Sequence, residues 1–86
     1  MNTETFSKSG FAIYPNPVRD VLRFSGLESR EISEGKVYDV LGKAVSGIMF
    51  DRGNGTMNVE RLPTGIYFIK VMLRDGGFFN KRFMKI

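Results

Sequence analysis

The side chains that most often carry out catalysis are missing from this chain of 86 residues. It contains neither histidine nor cysteine, which excludes Ser-His and Cys-His nucleophilic sites, thiolate metal ligands and disulfides. Carboxylate pairs remain, but so short a chain has little depth for the water-excluding cleft that acid–base chemistry needs. The composition therefore predicts a protein that is not an enzyme and that uses no cofactor.

Positive charge is the chemical feature that remains, and it is concentrated near the end of the chain. The formal net charge is +4. Residues 1–65 carry eight basic and eight acidic side chains, whereas residues 66–86 carry five basic side chains against Asp75 alone. This asymmetry indicates either contact with an acidic partner or an edge strand that its lysines protect from aggregation.

Short β-rich runs between regular turn signals must position these basic residues. This rhythm is typical of an all-β protein, and it predicts an immunoglobulin-like antiparallel β-sandwich of about seven strands. Residues 1–10 are polar and read as a linker or leader, and residues 11–86 form the domain. The predicted strands cover residues 11–14, 21–24, 36–40, 44–50, 57–59, 66–73 and 78–86.

Turn residues separate several of these strands. Residues 39–42 fit a type I turn, with Asp39 first and Gly42 fourth, and residues 62–65 fit another with Pro63 second. Asn54-Gly55 is a strong signal for a two-residue hairpin turn. Between residues 25 and 35, by contrast, no clear periodicity is present.

The last predicted strand contains a conflict. If Phe79 and Phe83 face the core, the period of two places Lys81 and Lys85 on the same face. Because an unpaired lysine is costly to bury, we expect one of two solutions. Either a bulge changes the alternation, or the strand lies at a sheet edge where the lysines reach water.

Four segments of the chain, taken in order, resemble a known family. YPNPVRDVLRF (14–24), YDVLGKAV (38–45), LPTGIYFIKV (62–71) and NKRFMKI (80–86) are similar to the four blocks of the type IX secretion C-terminal sorting domain. The similarity covers residues 11–86. The family's fold is a seven-stranded immunoglobulin-like sandwich, which agrees with the strand count. The resemblance implies a sorting signal that directs an attached cargo protein across the outer membrane of Bacteroidetes-type bacteria.

The resemblance also implies partners and a route. The cargo lies N-terminal to the domain, passes through the periplasm, and ends at the cell surface or is secreted. The type IX outer-membrane translocon and its shuttle proteins recognise the domain, and a sortase-like cysteine peptidase then removes it. Residues 1–10 would be the linker that this peptidase cuts.

Residue roles follow from the matching blocks. The end of the chain is the expected recognition element, because an edge strand can add to a partner's sheet. Its residues are Lys81, Arg82, Phe83, Met84, Lys85 and Ile86. The other matched residues are expected to be structural, in turns or in the core. They are Pro15, Asn16, Pro17, Asp39, Gly42, Pro63, Gly65, Ile66 and Tyr67.

Two other functions fit parts of the sequence. An accessory carbohydrate- or protein-binding sandwich of a secreted enzyme would use exposed Phe68 and Tyr38. A nucleic-acid-binding barrel would stack bases on Phe68, Phe78 and Phe79 among nearby cations. The even charge of residues 1–65 disfavours nucleic acid. Because no run of about eighteen apolar residues occurs, no membrane span is expected.

Overall fold

Eight β-strands form two antiparallel sheets of four strands each in the computed structural model, which describes residues 12–26, 28 and 31–86. The predicted all-β sandwich is confirmed. The strands are β1 (Ala12–Tyr14), β2 (Val21–Ser25), β3 (Ile32–Asp39), β4 (Ala44–Val45), β5 (Phe50–Asp51), β6 (Thr56–Asn58), β7 (Gly65–Leu73) and β8 (Phe78–Lys85). Phe11 and the predicted linker of residues 1–10 lie outside the described residues.

The two sheets divide the strands unequally. One has the order β1-β2-β6-β5 and consists of short strands, whereas the other has the order β4-β3-β7-β8 and contains the three longest. We call the latter the long sheet. It pairs β7 with β3 on one side and with β8 on the other. Strand β8, which contains most of the predicted recognition residues, therefore lies at an edge of the long sheet.

One predicted strand, residues 44–50, is wrong. The chain leaves the long sheet after Val45 and joins the other sheet at Phe50, so the segment supplies two short strands, β4 and β5. Gly47 lies between them with φ of +84°, a conformation that side chains other than glycine disfavour. Because the segment changes sheet between β4 and β5, the strand count rises from about seven to eight.

Two further boundaries differ from expectation. Strand β3 begins at Ile32, four residues before the predicted start, and its register with β7 shifts between Ile32 and Glu34. That irregularity breaks the period of two on which the prediction relied. The predicted two-residue turn at Asn54-Gly55 is wrong, because the loop before β6 holds four residues, 52–55. In this loop the Asp51 carboxylate accepts the main-chain N–H groups of Gly53 and Asn54.

The core lies between the two sheets. Strand β7 contributes Tyr67, Ile69, Val71 and Leu73, which alternate on its inner face as the sequence predicts. Phe83 of β8 is 1% exposed and stacks on Tyr67, with ring centroids 5.7 Å apart. Aromatic burial of this kind contributes much of the stability of a small sandwich.

Strand β8 resolves its lysine conflict without a bulge. Its register with β7 runs unbroken from Phe78 to Lys85, so Lys81 and Lys85 share the inner face with Phe83. The expectation of an edge position is correct, and Lys81 is half-buried there. The expectation that both lysines reach water is wrong for Lys85, which is 6% exposed and donates its Nζ to the main-chain oxygen of Ile86 at 3.2 Å.

Candidate functional site

The candidate site is the basic terminal strand β8 together with Ile86. A tight turn holds this strand against β7. Gly76 adopts φ of +98°, and its N–H donates to the main-chain oxygen of Leu73 at 3.1 Å. The Asp75 carboxylate accepts the N–H of Gly77 at 2.8 Å. Asp75, Gly76 and Gly77 thus form the turn between β7 and β8, which fixes the face that each β8 side chain occupies.

The six predicted recognition residues divide into two sets. Lys81, Phe83 and Lys85 point inward, and two of these three are buried. Arg82, Met84 and Ile86 point outward, and Met84 and Ile86 are 41% and 45% exposed. The outward set can meet a partner while the domain stays folded, whereas the buried Phe83 and Lys85 cannot.

The side-chain amide of Asn16 clamps the outer edge of β8. Its Oδ1 accepts the N–H of Met84 at 2.9 Å, and its Nδ2 donates to the main-chain oxygen of Arg82 at 3.3 Å. The main chain of Val18 continues the contact, because its N–H donates to Met84 O at 2.8 Å and its oxygen accepts the N–H of Ile86 at 2.9 Å. We call this contact the edge clamp.

The edge clamp limits how a partner can bind. Four successive main-chain groups between Arg82 and Ile86 already have hydrogen-bond partners within the domain. A partner strand that added along these residues would first have to displace Asn16 and Val18. Near Phe78 and Asn80, no strand of the described residues pairs with the edge of β8 that faces away from β7.

The opening motif thus does more than form the rigid turn that the sequence predicts. Both Tyr14-Pro15 and Asn16-Pro17 are cis peptide bonds, and the asparagine between the prolines reaches residues 66 and 68 positions further along the chain. Sequence reasoning missed this role, since a turn asparagine and a clamping asparagine have the same local sequence. Val18, which is fully buried, was also missed.

Among the other motif residues, Asp39, Gly42 and Tyr67 make contacts within turns or the core, whereas Ile66 lies half-buried on the outer face of β7. The Asp39 carboxylate accepts the N–H groups of Leu41 and Lys43 at 2.9 and 3.0 Å, and Gly42, at φ of +82°, closes the turn onto the Asp39 oxygen. The Tyr67 hydroxyl donates to the main-chain oxygen of Pro63 at 2.7 Å. Such a tyrosine corner is a feature of immunoglobulin-like Greek-key sandwiches.

All four sequence blocks converge at one end of the long sheet. Across the strands, Asp39 pairs with Tyr67 and Tyr67 with Phe83, while Gly65 pairs with Lys85. Val18 forms a parallel bridge to Lys85. Residues that are far apart in the sequence therefore build one corner, and Arg82, Met84 and Ile86 lie at its surface.

Among the described residues, no three Asp or Glu side chains gather to hold a metal ion, and no helix of that part is long and apolar enough to span a membrane. The pKa of Asp51 is lowered from its usual 3.8, chiefly by the hydrogen bond from the Asn54 side chain. Asp51 is the last residue of β5 and is exposed, so this shift reflects its hydrogen bonds to the adjoining β5–β6 loop.

The aromatic platforms of the two rival functions are only partly present. Phe79 lies on the inner face of β8, opposite to Phe78, so the three rings proposed to stack nucleic-acid bases do not share a surface. Tyr38 and Phe68 are cross-strand neighbours. Phe68 is 40% exposed and Tyr38 is half-buried.

An open groove of about 500 Å³ borders β3 and β4. These strands lie towards the edge of the long sheet that is opposite to β8. Apolar side chains such as Val37 and Ile48 line it, and Arg52 lies at its margin. The Arg52 guanidinium donates to the main-chain oxygens of Ile32 and Ser33 at 2.7 and 2.5 Å. Arg52 therefore covers the free edge of β3.

Comparison with known families agrees with this arrangement. The family model described as the secretion system C-terminal sorting domain matches residues 12–85, which include nearly all of the described residues. No curated protein matches the chain.

Proposed function

The chain belongs to the secretion system C-terminal sorting domain family, and we propose that the type IX translocon recognises it through the outward side chains of β8. A sorting domain of this kind marks its cargo for export across the outer membrane, to the cell surface or the medium. The cargo lies N-terminal to the domain. Recognition takes place during transit through the periplasm.

One observation carries the proposal. The end of β8 presents Arg82, Met84 and Ile86 outward, while the edge clamp occupies the main-chain groups between them. A partner that reads this strand without unfolding the corner must therefore contact side chains. A cation flanked by apolar side chains suits an interface, where arginine and methionine are enriched.

Removal of the domain after transport is the second part of the proposal. A sortase-like cysteine peptidase cuts N-terminal to the folded sandwich, within the polar segment of residues 1–10. That segment contains small and polar residues, which suit an accessible chain. Mass determination of the released cargo would locate the cut, and a cut beyond Ala12 would contradict this assignment.

The experiment that tests the function is an export assay. A reporter with a signal peptide is fused upstream of all 86 residues and expressed in a type IX-competent host and in a matched host that lacks the translocon. We expect reporter outside the outer membrane only in the competent host, and periplasmic retention in the other. Equal distribution in both hosts would refute the function.

Substitutions test the recognition surface better than truncation does. Deleting residues 81–86 would remove Phe83 from the core and abolish the edge clamp. The deletion would therefore unfold the domain whether or not the translocon reads it. Outward substitutions at Arg82 and Met84 leave those contacts in place.

A further inference from the structure

The exposed side chains of β8 are part of a larger surface, the outer face of the long sheet. Register places Tyr38, Phe68 and Arg82 in one cross-strand row, and Glu34, Met72 and Phe78 in another. Between these rows, Lys36 pairs with Lys70 across the strands. We call the surface built from these rows, together with the adjoining cross-strand pair Ile66 and Met84, the outer platform.

Several of the exposed side chains on the outer platform are apolar. Phe68, Phe78 and Met84 are 40%, 52% and 41% exposed, although the inner faces of the same strands are packed in the core. Ile66, the cross-strand partner of Met84, is half-buried on the same face. Exposed apolar side chains on one face of a sheet suit contact with the apolar side chains of a partner.

The charge of the outer platform is positive. The rows contain three cations, Lys36, Lys70 and Arg82, and a single carboxylate, that of Glu34. Glu34 already forms an ion pair with Lys36 at 3.4 Å. The Nζ of Lys70 lies 4.5 Å from the centre of the Phe78 ring. A complementary partner is therefore acidic and offers apolar side chains of its own.

From this combination we infer that the outer platform, including strands β3 and β7, is the docking surface for an acidic, partly apolar protein surface of the export machinery. The inference rests on the proposed function and extends its site beyond β8. Three strands spaced about 4.8 Å apart and some 20 Å long present about 300 Å² in projection. A standard interface buries about 800 Å² of accessible surface per partner, so this is a small contact of the kind found in transient complexes.

Lipid and nucleic acid fit the outer platform less well. Stable attraction to an anionic membrane takes clusters of about four to eight cations, and the platform has three with one carboxylate among them. Base stacking needs open aromatic faces, whereas Lys70 already lies over Phe78. A protein partner suits interleaved cations and apolar side chains best.

Binding measurements with substitutions on β7 test the inference. The full 86-residue chain carrying a fluorophore is titrated with detergent-solubilised, purified type IX outer-membrane translocon. Lys70→Glu is expected to weaken binding about tenfold, Phe68→Thr to weaken it at least as much, and added salt to weaken binding of the unsubstituted chain. Lys43→Glu, in the exposed β3–β4 turn, is the matched control and should bind like the unsubstituted chain.

Each outcome decides between alternatives. Equal binding by the unsubstituted, Lys70→Glu and Phe68→Thr chains overturns the inference, and so does tighter binding to phosphatidylglycerol vesicles or to a single-stranded oligonucleotide. If Phe68→Thr alters the thermal midpoint, its binding result is set aside. Binding of the milder Lys70→Gln variant to the translocon then decides whether the inference stands. Translocon-dependent export of the unsubstituted fusion alongside such a result leaves the proposed function standing. Loss of that export refutes the function itself.

Discussion

The edge clamp gives the most quantitative prediction, because one side chain provides half of its hydrogen bonds. Asn16→Ala removes the 2.9 Å bond from Met84 N–H and the 3.3 Å bond to Arg82 O. A net hydrogen bond contributes about 0.5–1.5 kcal/mol. Since Asn16 is exposed, water replaces it in part, and we expect a loss of about 1–1.5 kcal/mol in the free energy of unfolding.

Two observables follow from that free energy. For a domain of this size, about 1–1.5 kcal/mol lowers the thermal midpoint by roughly 5–10 °C. Hydrogen exchange is more specific, because the N–H of Met84 has Asn16 as its acceptor. If this amide exchanges through local opening, the same free energy accelerates its exchange about 5- to 10-fold.

Asn58→Ala is the matched control for this prediction. Asn58 accepts the N–H of Glu60 at 2.9 Å, a bond of the same length confined to a local turn. Asn58→Ala should therefore leave Met84 exchange close to that of the unsubstituted domain. An Asn16→Ala variant with unaltered thermal midpoint and unaltered Met84 exchange would refute the energetic role assigned to the clamp.

Three further substitutions test separate contacts. Tyr67→Phe loses the hydrogen bond to Pro63 and should lower the free energy of unfolding by about 1–1.5 kcal/mol; an unaltered denaturation midpoint would contradict this. Asn54→Ala removes the main cause of the depressed Asp51 pKa, so an NMR titration should show that pKa move up towards 3.8. Because a depressed carboxyl pKa contributes stability above its unfolded value and loses it as pH falls through the folded one, acid should then destabilise the variant less; an unmoved pKa would argue against the assigned cause. Lys85→Met replaces a buried amine with a side chain of similar volume and should keep or raise the thermal midpoint without impairing export; impaired export at full stability would show that the amine is read directly.

Strands β7 and β8 of the long sheet could be predicted from the sequence because their inward-facing residues follow a period of two. In β7, residues 67, 69, 71 and 73 occupy alternate positions and all are buried, and the Asp75-Gly76-Gly77 turn directs the next strand back against it. The same period placed Phe83 beside Lys85 on the inner face. It could not show that Lys85 remains buried, because that depends on a main-chain oxygen near the lysine amine.

The shortest strands were harder to predict, whichever sheet they belong to. Strands β4 and β5 have two residues each, too few to display a period, and Gly47 between them resembles any glycine in a strand. The start of β3 was missed for the opposite reason, since its register shift disrupts an otherwise long alternation.

The candidate site was predictable in outline but not in geometry. The cluster of cations near the end of the chain indicated β8, and the four blocks indicated the family. The contact between Asn16 and β8 spans more than sixty residues and has no local signal. It is the reason why we propose recognition by side-chain contact along Arg82 to Ile86 in place of strand addition.

Export of two matched double variants tests this central claim most directly. Arg82→Glu/Met84→Ser changes the outward side chains of β8, and Arg23→Glu/Met49→Ser makes the same chemical changes at exposed positions outside the long sheet. With thermal midpoints shown to be equal, the surface-accessible fraction of a fused reporter should fall about tenfold for the β8 variant and remain at the unsubstituted level for the other. Equal export by both variants would contradict recognition through β8.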